Sequence, residues 1–136
     1  MRVGGEVVGA IGPGLLILVG VSRTDDEAAA GWLASKCAEL RIFDDEAGQL
    51  NRSLVESGGE ALVVSQFTLY GDVRRGRRPS WSVAAPGPEA VPLVELFCRV
   101  LEQAGLRVAR GRFGAHMEVE LVGDGPVTLM VDSPGA

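Results

Sequence analysis

Two short segments of this 136-residue chain carry the groups best suited to chemistry. The first, Ser-Gln-Phe-Thr-Leu at residues 65–69, offers hydroxyl and amide groups that can orient a polar substrate. The second, Gly-Pro-Val-Thr at residues 125–128, contains a turn that can aim carbonyl oxygens in one direction, since an X-Pro bond becomes cis at modest cost. On pattern alone, the first segment equally fits the solvent-facing side of a strand, and the second fits an ordinary turn.

The standard catalytic arrangements are absent from the sequence. His116 is the single histidine, and no Gly-x-Ser-x-Gly elbow accompanies Ser65, which argues against a Ser-His-Asp triad. One histidine among scattered carboxylates has no metal-ligand spacing, and no phosphate-binding loop or dinucleotide motif is present. Cys37 and Cys98 have no neighbouring Cys or His and are expected to be buried free thiols. The sequence therefore predicts no metal and no cofactor.

The hydrophobic pattern predicts the strands that position these segments. Apolar runs at residues 7–11 and 15–21, separated by Gly-Pro-Gly, are typical of a hairpin. Residues 61–70 are expected to form the central strand, because their continuous apolar start suits a strand covered on both faces. Alternation along this strand would place three polar-tipped residues on one face: Gln66, Thr68 and Tyr70. Three short strands are predicted near the C-terminus, at residues 107–110, 117–122 and 127–131, followed by a tail at 133–136.

Two helices are predicted between the strands. Thr24 and Glu27 have the spacing of a capping box, so the first helix should begin there and end near Arg41. The second should cover residues 88–103 and end before Gly105. The long segment between them at residues 71–87 is rich in Gly, Pro, Arg and Ser, which is typical of a functional loop.

Length and composition limit the class of protein. A chain of 136 residues forms one domain and can bury roughly two thirds of its unfolded surface. Apolar residues make up 46% of the chain, yet its apolar runs are much shorter than a membrane-spanning helix requires. No export signal is recognisable. We therefore expect a single cytoplasmic domain, residues 1–136, with no membrane partner.

The net charge of −5 argues against a general polyanion binder, and DNA is not an expected partner. The distribution of arginine nevertheless favours local phosphate binding. Four arginines fall within five positions, and three more form a second group at 107, 110 and 112. Composition alone also allows an arginine-rich, solvated loop. The first group consists of Arg74, Arg75, Arg77 and Arg78.

The two segments described first together resemble the signature pair of the D-aminoacyl-tRNA deacylases, once called D-tyrosyl-tRNA deacylases. The resemblance runs in family order from residue 5 to residue 131. Its further motifs are Gly-Glu-Val-Val-Gly at 5–9, Gly-Leu-Leu at 14–16, Arg-Ile-Phe at 41–43, Arg-Pro-Ser at 78–80 and Gly-Arg-Phe-Gly-Ala at 111–115.

The resemblance implies an α/β domain with the three-layer fold of this family: two helices packed on layered, mixed and mostly antiparallel β-sheet, with the active site at a homodimer interface. It implies hydrolysis of the ester joining a D-amino acid to the 3′ end of tRNA. Alanine tRNA mischarged with glycine would also be a substrate. A site that rejects L-residues by collision with their side chains accepts glycine, because glycine has no side chain. The pocket residues carried over are Ser65, Gln66, Phe67 and Thr68. A Gly-cisPro motif inserted from the partner subunit would consist of Gly125 and Pro126.

The resemblance leaves two mechanisms open. In both, backbone N–H groups near Phe67 and Thr68 stabilise the oxyanion. Thr68 could be the nucleophile, but no base lies near it in sequence and an unactivated hydroxyl is weak. We favour assistance by the ribose 2′-hydroxyl of the tRNA, with Thr68 as an orienting group.

The chain also departs from the family pattern. Family members usually begin further upstream with an additional strand, which is expected to be missing here because Met1 enters almost directly at the second strand. Gly123 stands where Asn is frequent, and His116 stands where an acidic residue is common. One rival hypothesis is a noncatalytic tRNA-binding or dimerisation module derived from this family, and another is a small esterase for free D-amino acid esters.

Overall fold

An α/β arrangement of three α-helices and seven strands makes up residues 1–134, the range that the computed structural model describes. The strands are β1 (Arg2–Val3), β2 (Glu6–Val7), β3 (Gly14–Val19), β4 (Phe43–Asp44), β5 (Leu50–Arg52), β6 (Glu60–Ser65) and β7 (Val108–Arg110). The helices are α1 (Glu27–Glu39), α2 (Leu54–Ser57) and α3 (Gly87–Gln103), with a 3₁₀ helix at Phe67–Tyr70.

The central sheet has the order β3-β6-β7, and both of its pairings are parallel. Strand β6 is buried on both faces, as predicted. Ala61 and Val63 pack with α1 and α3, whereas Leu62 and Val64 pack with Met1 and neighbouring apolar side chains on the opposite face. Two-stranded antiparallel sheets, β1-β2 and β4-β5, lie outside this centre, so the strand pairings of the domain are mixed.

The predicted hairpin over residues 7–11 and 15–21 is wrong. Strand β2 pairs with β1, while β3 pairs in parallel with β6 in the register Gly14 to Glu60 through Val19 to Ser65. The physical reason is burial: Leu15 and Ile17 pack against one core and Leu16 against the other, which requires a partner strand in the middle of the domain.

The helices agree with the prediction in position but not in capping. The N-cap of α1 is Asp26, whose Oδ1 accepts a hydrogen bond from the Ala29 N–H at 2.9 Å, so the predicted Thr24 capping box is wrong. A capping box does occur at Ser53 and starts α2, a third helix that was not predicted. Helix α3 runs to Gln103 and is followed by Gly105 at φ +96, the left-handed conformation expected there.

Part of the C-terminal prediction is also wrong. Strand β7 confirms the first of the three strands, but residues 117–122 form only an isolated bridge from Glu118 to Arg2, and residues 127–131 form no strand. The alternating pattern needs a neighbouring strand to pair with, and the described chain supplies only Arg2. Of the predicted tail, residues 135–136 lie outside the described range.

Both cysteines are free thiols, as predicted, with Cys98 buried and Cys37 half-buried. Burial raises the pKa of the Cys98 thiol to about 11, and burial also raises the pKa of Cys37. Neither thiol is therefore activated as a nucleophile at neutral pH.

Candidate active site

The Ser-Gln-Phe-Thr-Leu segment at residues 65–69 lies where the central strand β6 ends. Strand β6 stops at Ser65 because its neighbour β3 ends at Val19, and the chain then turns into the 3₁₀ helix. The predicted strand over residues 61–70 is therefore too long, and the alternation that put Gln66, Thr68 and Tyr70 on one face does not apply. The structure instead keeps Ser65, Gln66, Phe67 and Thr68 together at the C-terminal end of β6, with Phe67 and Thr68 exposed.

The hydrogen bonds of the 3₁₀ helix leave two backbone N–H donors unused at its start. The Gln66 N–H donates to the Val19 carbonyl at 2.8 Å, and the Leu69 N–H donates to the Gln66 carbonyl at 3.2 Å. No side chain caps the 3₁₀ helix. Within residues 1–134, the N–H groups of Phe67 and Thr68 have no protein acceptor. They are available to an oxygen of a bound molecule.

The Thr68 side chain has one hydrogen-bond partner. Nε2 of Gln66 donates to Oγ1 of Thr68, so this oxygen acts as an acceptor and its own proton is free to be donated. No carboxylate or imidazole in the described range bonds to it. The hydroxyl is thus equipped to orient a polar group but has no base to activate it.

A cavity of about 80 Å³ opens beside Ser65. Its wall combines apolar and charged side chains from the central sheet, from α3 and from the segment after β7, among them Cys98, Arg110 and Phe113. The Arg110 guanidinium is held by two carboxylates, Glu95 at 2.9 Å and Glu102 at 2.7 Å. This pairing raises the pKa of Arg110 and lowers that of Glu102. The positive charge of Arg110 in the wall beside Ser65 is therefore already neutralised by carboxylates of the same chain.

The first arginine group lies on a loop closed at its base. Asp72 and Ser80 form an antiparallel bridge, with N–H to carbonyl distances of 2.7 and 2.9 Å. We name residues 72–80 the arginine loop. Asp72 also accepts two hydrogen bonds from the Arg74 guanidinium, at 2.9 and 2.7 Å. These bonds lower the pKa of Asp72 to about 2.

The arginines of the arginine loop are therefore not equally free to bind a phosphate. Arg74 is tied back to Asp72, whereas three exposed arginines of the loop have no carboxylate partner in the described chain: Arg75, Arg77 and Arg78. In the second arginine group, Arg107 bonds to Glu60 at 2.8 Å and Arg110 is paired as described above. Pairing turns two arginines of that group into structural residues, so the arginine loop is the stronger candidate for phosphate contacts.

The Gly-Pro-Val-Thr segment at residues 125–128 begins with an exposed turn. The Gly125-Pro126 peptide bond is cis, and both residues are exposed. Local backbone bonds hold the turn, including one from the Gly125 N–H to the Gly123 carbonyl at 2.9 Å. No hydrogen bond among the described residues joins this turn to Thr68 or its neighbours. Within residues 1–134 of one chain, the two signature segments are therefore not joined by hydrogen bonds.

Two kinds of feature are absent from residues 1–134. Residues 1–134 contain no group of three or more His, Cys, Asp or Glu side chains placed to hold a metal ion. The helices of that range include none that is long and apolar enough to span a membrane.

Two residues near the site have roles that sequence reasoning missed. Asp72 closes the arginine loop, and Trp81 contacts Phe67 edge-on, with ring centroids 5.7 Å apart and an interplanar angle of 68°. No local pattern indicates the Asp72 contacts. A single tryptophan in a segment of Gly, Pro, Arg and Ser was the available signal for Trp81, because such a side chain is seldom left without a packing partner.

A family model described as D-Tyr-tRNA(Tyr) deacylase matches residues 1–132. The match covers nearly the whole chain, and the chain therefore belongs to the D-aminoacyl-tRNA deacylase family, a family of ester hydrolases.

Curated relatives and a solved structure agree with this assignment. The D-aminoacyl-tRNA deacylase of Symbiobacterium thermophilum is 63% identical over 133 residues, which cover 98% of this chain and 88% of the relative. That of Thermomicrobium roseum is 61% identical, with 98% and 86% covered. A solved structure of the c-Myc DNA Unwinding Element Binding Protein superposes with a TM-score of 0.90 at 36% identity, covering 98% of this chain and 91% of that one.

A second solved structure supports the fold alone. It is described as a probable eukaryotic D-amino acid tRNA deacylase, and it superposes with a TM-score of 0.73 at 19% identity, covering 85% of this chain and 83% of that one.

Proposed function

We propose that this protein is a D-aminoacyl-tRNA deacylase, a cytoplasmic single-domain enzyme that hydrolyses the ester between a D-amino acid and the 3′ end of tRNA. Mischarged glycyl-tRNA of the alanine type is the second proposed substrate. The observation that carries the proposal is the family match over residues 1–132, in a chain that keeps both signature segments intact.

The proposed pocket for the aminoacyl-adenosine is formed by Ser65, Gln66, Phe67 and Thr68. The free N–H groups of Phe67 and Thr68 bind the oxyanion that develops as water attacks the ester carbon. The 2′-hydroxyl of the terminal ribose assists the attack, and Thr68 donates a hydrogen bond that orients the reacting groups. The acceptor role of Thr68 toward Gln66 supports this assignment, since a nucleophilic threonine needs a base in that place.

Chiral selection is proposed to come from a second copy of the chain. Gly125 and Pro126 of one subunit would enter the pocket of the other and reject L-residues by collision. Exposure of this turn supports the proposal, as do apolar side chains flanking it: Val122 and Met130 are each 93% exposed. Apolar surface of this kind is typical of a region that is covered by a partner.

The proposal is tested by hydrolysis of matched D-tyrosyl-tRNA and L-tyrosyl-tRNA by the purified protein. We expect rapid loss of the D-ester only. Binding of both tRNAs by a folded protein without turnover would instead support the noncatalytic module. Equal rates of hydrolysis of D-tyrosyl-tRNA and a free D-tyrosine ester would support the small esterase. An enzyme directed to tRNA should hydrolyse the ester faster when it is attached to tRNA.

The arginine loop is proposed to hold phosphates near the tRNA 3′ end. Replacing Arg75, Arg77 and Arg78 by alanine is expected to raise KM for D-tyrosyl-tRNA by about tenfold or more, because each contact with a phosphate releases counterions. The dependence of log KM on log salt should fall by about 2 in slope, since each single-strand phosphate contact contributes about 0.7. Steady-state kinetics across a salt series measures both quantities, and the preference for the D-ester should remain.

Replacing Arg74 and Asp72 together by alanine in this triple variant should change KM little, because the bonded pair carries no net charge. The matched control removes three exposed positive charges elsewhere, at Lys36, Arg41 and Arg99, which also have no carboxylate partner among residues 1–134. If this control raises KM as much as the triple variant does, general charge attracts the tRNA and the arginine loop has no special role.

A further inference from the structure

We propose that Trp81 is a positioning residue that holds the 3₁₀ turn of the active site in its working geometry. The inference rests on the proposed function, because it assigns Trp81 a part in the reaction through Phe67 and Thr68. Trp81 touches no substrate in this proposal. It acts on the backbone that carries the free N–H groups.

The indole of Trp81 meets the turn on both sides of Thr68. On one side, its ring contacts the Phe67 ring in the edge-on arrangement that aromatic pairs prefer. On the other side, it lies against the backbone of Gly71. A Cβ at Gly71 would fall 3.1 Å from Nε1 of Trp81 and 3.0 Å from the Thr68 carbonyl oxygen, so glycine permits this close packing.

Trp81 is itself fixed by the backbone on either side of it. Before it, Ser80 pairs with Asp72 at the base of the arginine loop. After it, the Ala84 N–H donates to the Trp81 carbonyl at 3.0 Å, and Ala84 pairs with Ser22 beyond the end of β3. Trp81 thus lies in a segment whose backbone is hydrogen-bonded on both sides, to Asp72 before it and to the chain that follows β3 after it.

The start of the turn needs such support, because Gln66, Leu69 and Tyr70 pack close to Gly20 whereas Phe67 and Thr68 are exposed. The turn is a four-residue 3₁₀ helix without a side-chain cap, and Phe67 is 55% exposed. Within the described residues, Trp81 is the aromatic partner of Phe67. Without the indole, the N–H groups of Phe67 and Thr68 would sample other directions, and donors that are not preorganised stabilise an oxyanion poorly.

The test compares Trp81→Ala with Trp81→Phe in the full chain, using D-tyrosyl-tRNA. We expect Trp81→Ala to lower kcat by about tenfold or more with KM unchanged within about twofold, since misplacement of catalytic groups acts on the chemical step. Trp81→Phe keeps an aromatic edge against Phe67 and should restore most of kcat. Hydrogen exchange provides a readout that does not depend on activity: the amides of Leu69 and Gly71 should exchange faster in Trp81→Ala.

The matched control is Trp32→Ala on α1, because Trp32 and Trp81 are both 41% exposed. Trp32→Ala should leave kcat and the exchange of the turn unchanged. An unchanged kcat in Trp81→Ala, or a rise in KM alone, would overturn the inference. If the parent protein hydrolyses no aminoacyl-tRNA, the proposed function fails and kcat carries no information. The exchange of Leu69 and Gly71 then decides the positioning role, and unchanged exchange overturns it.

Discussion

A D-tyrosyl-tRNA whose terminal ribose lacks the 2′-hydroxyl is expected to be hydrolysed about 10²–10⁴-fold more slowly than the ordinary substrate, the usual size of a general acid–base contribution. The physical reason is the environment of Thr68. Its Oγ1 accepts a hydrogen bond from Gln66, and the described chain offers no base that could activate it. The substrate hydroxyl then remains as the group that assists the attacking water. Single-turnover rates with enzyme in excess measure the effect without interference from binding.

Variants of Thr68 supply the companion measurement. Thr68→Ala should keep D-specific hydrolysis at a rate lowered about ten- to a hundredfold, because it loses one hydrogen bond worth about 1.5–3 kcal/mol to a developing charge. Thr68→Ser keeps the hydroxyl and should remain close to the parent rate. Complete inactivity of Thr68→Ala, together with a trapped acyl ester on Thr68, would contradict the assisted mechanism and make Thr68 the nucleophile.

The largest expected effect on stability comes from Gly14→Ala, at about 3 kcal/mol of the free energy of unfolding, the upper part of the range for overpacking. A Cβ at Gly14 would lie 1.8 Å from the Glu60 carbonyl oxygen and 2.6 Å from the Glu60 nitrogen. Both atoms belong to the backbone of β6, the partner of β3 in the central sheet. The methyl group therefore cannot be accommodated by turning a side chain, and the strands must separate at this end. Urea unfolding measures the loss.

Gly12→Ala is the matched control for this prediction. The Cβ at Gly12 meets the far end of the same residue, Oε1 of Glu60, at an ordinary contact distance of 3.5 Å. We expect its free energy of unfolding to stay within about 0.5 kcal/mol of the parent value, as for most surface substitutions. Equal unfolding midpoints for the two variants would show that β3 and β6 do not approach as closely as the structure indicates.

Local patterns predicted several features because each depends on nearby residues or on burial of a whole segment. The continuous apolar run of β6 indicated a strand covered on both faces, and Val63 and Val64 are buried on opposite sides. Gly105 follows α3 in the left-handed conformation expected after a helix. The cis bond before Pro126 was likewise open to prediction from a Gly-Pro pair in a turn.

Other features could not be predicted because they depend on residues far apart in sequence. Apolar residues in β3 are compatible with any partner strand, and only the packed domain selects the parallel partner β6. The strand ends at Ser65 because β3 offers no further pairing beyond Val19, so the turn that carries Thr68 depends on a neighbour 46 residues earlier than Ser65 in the register.

The sequence by itself determined the family, the central strand, the approximate limits of α1 and α3, and the segments that carry the candidate chemistry. Tertiary structure decided how those segments act. It turned residues 67–70 into a 3₁₀ helix with free N–H groups, tied Arg74 to Asp72 while leaving Arg75 unpaired, and brought Trp81 against Phe67. The physical reason is that composition and spacing specify which groups are present, whereas strand pairing, close packing and charge pairing select their partners from the whole chain.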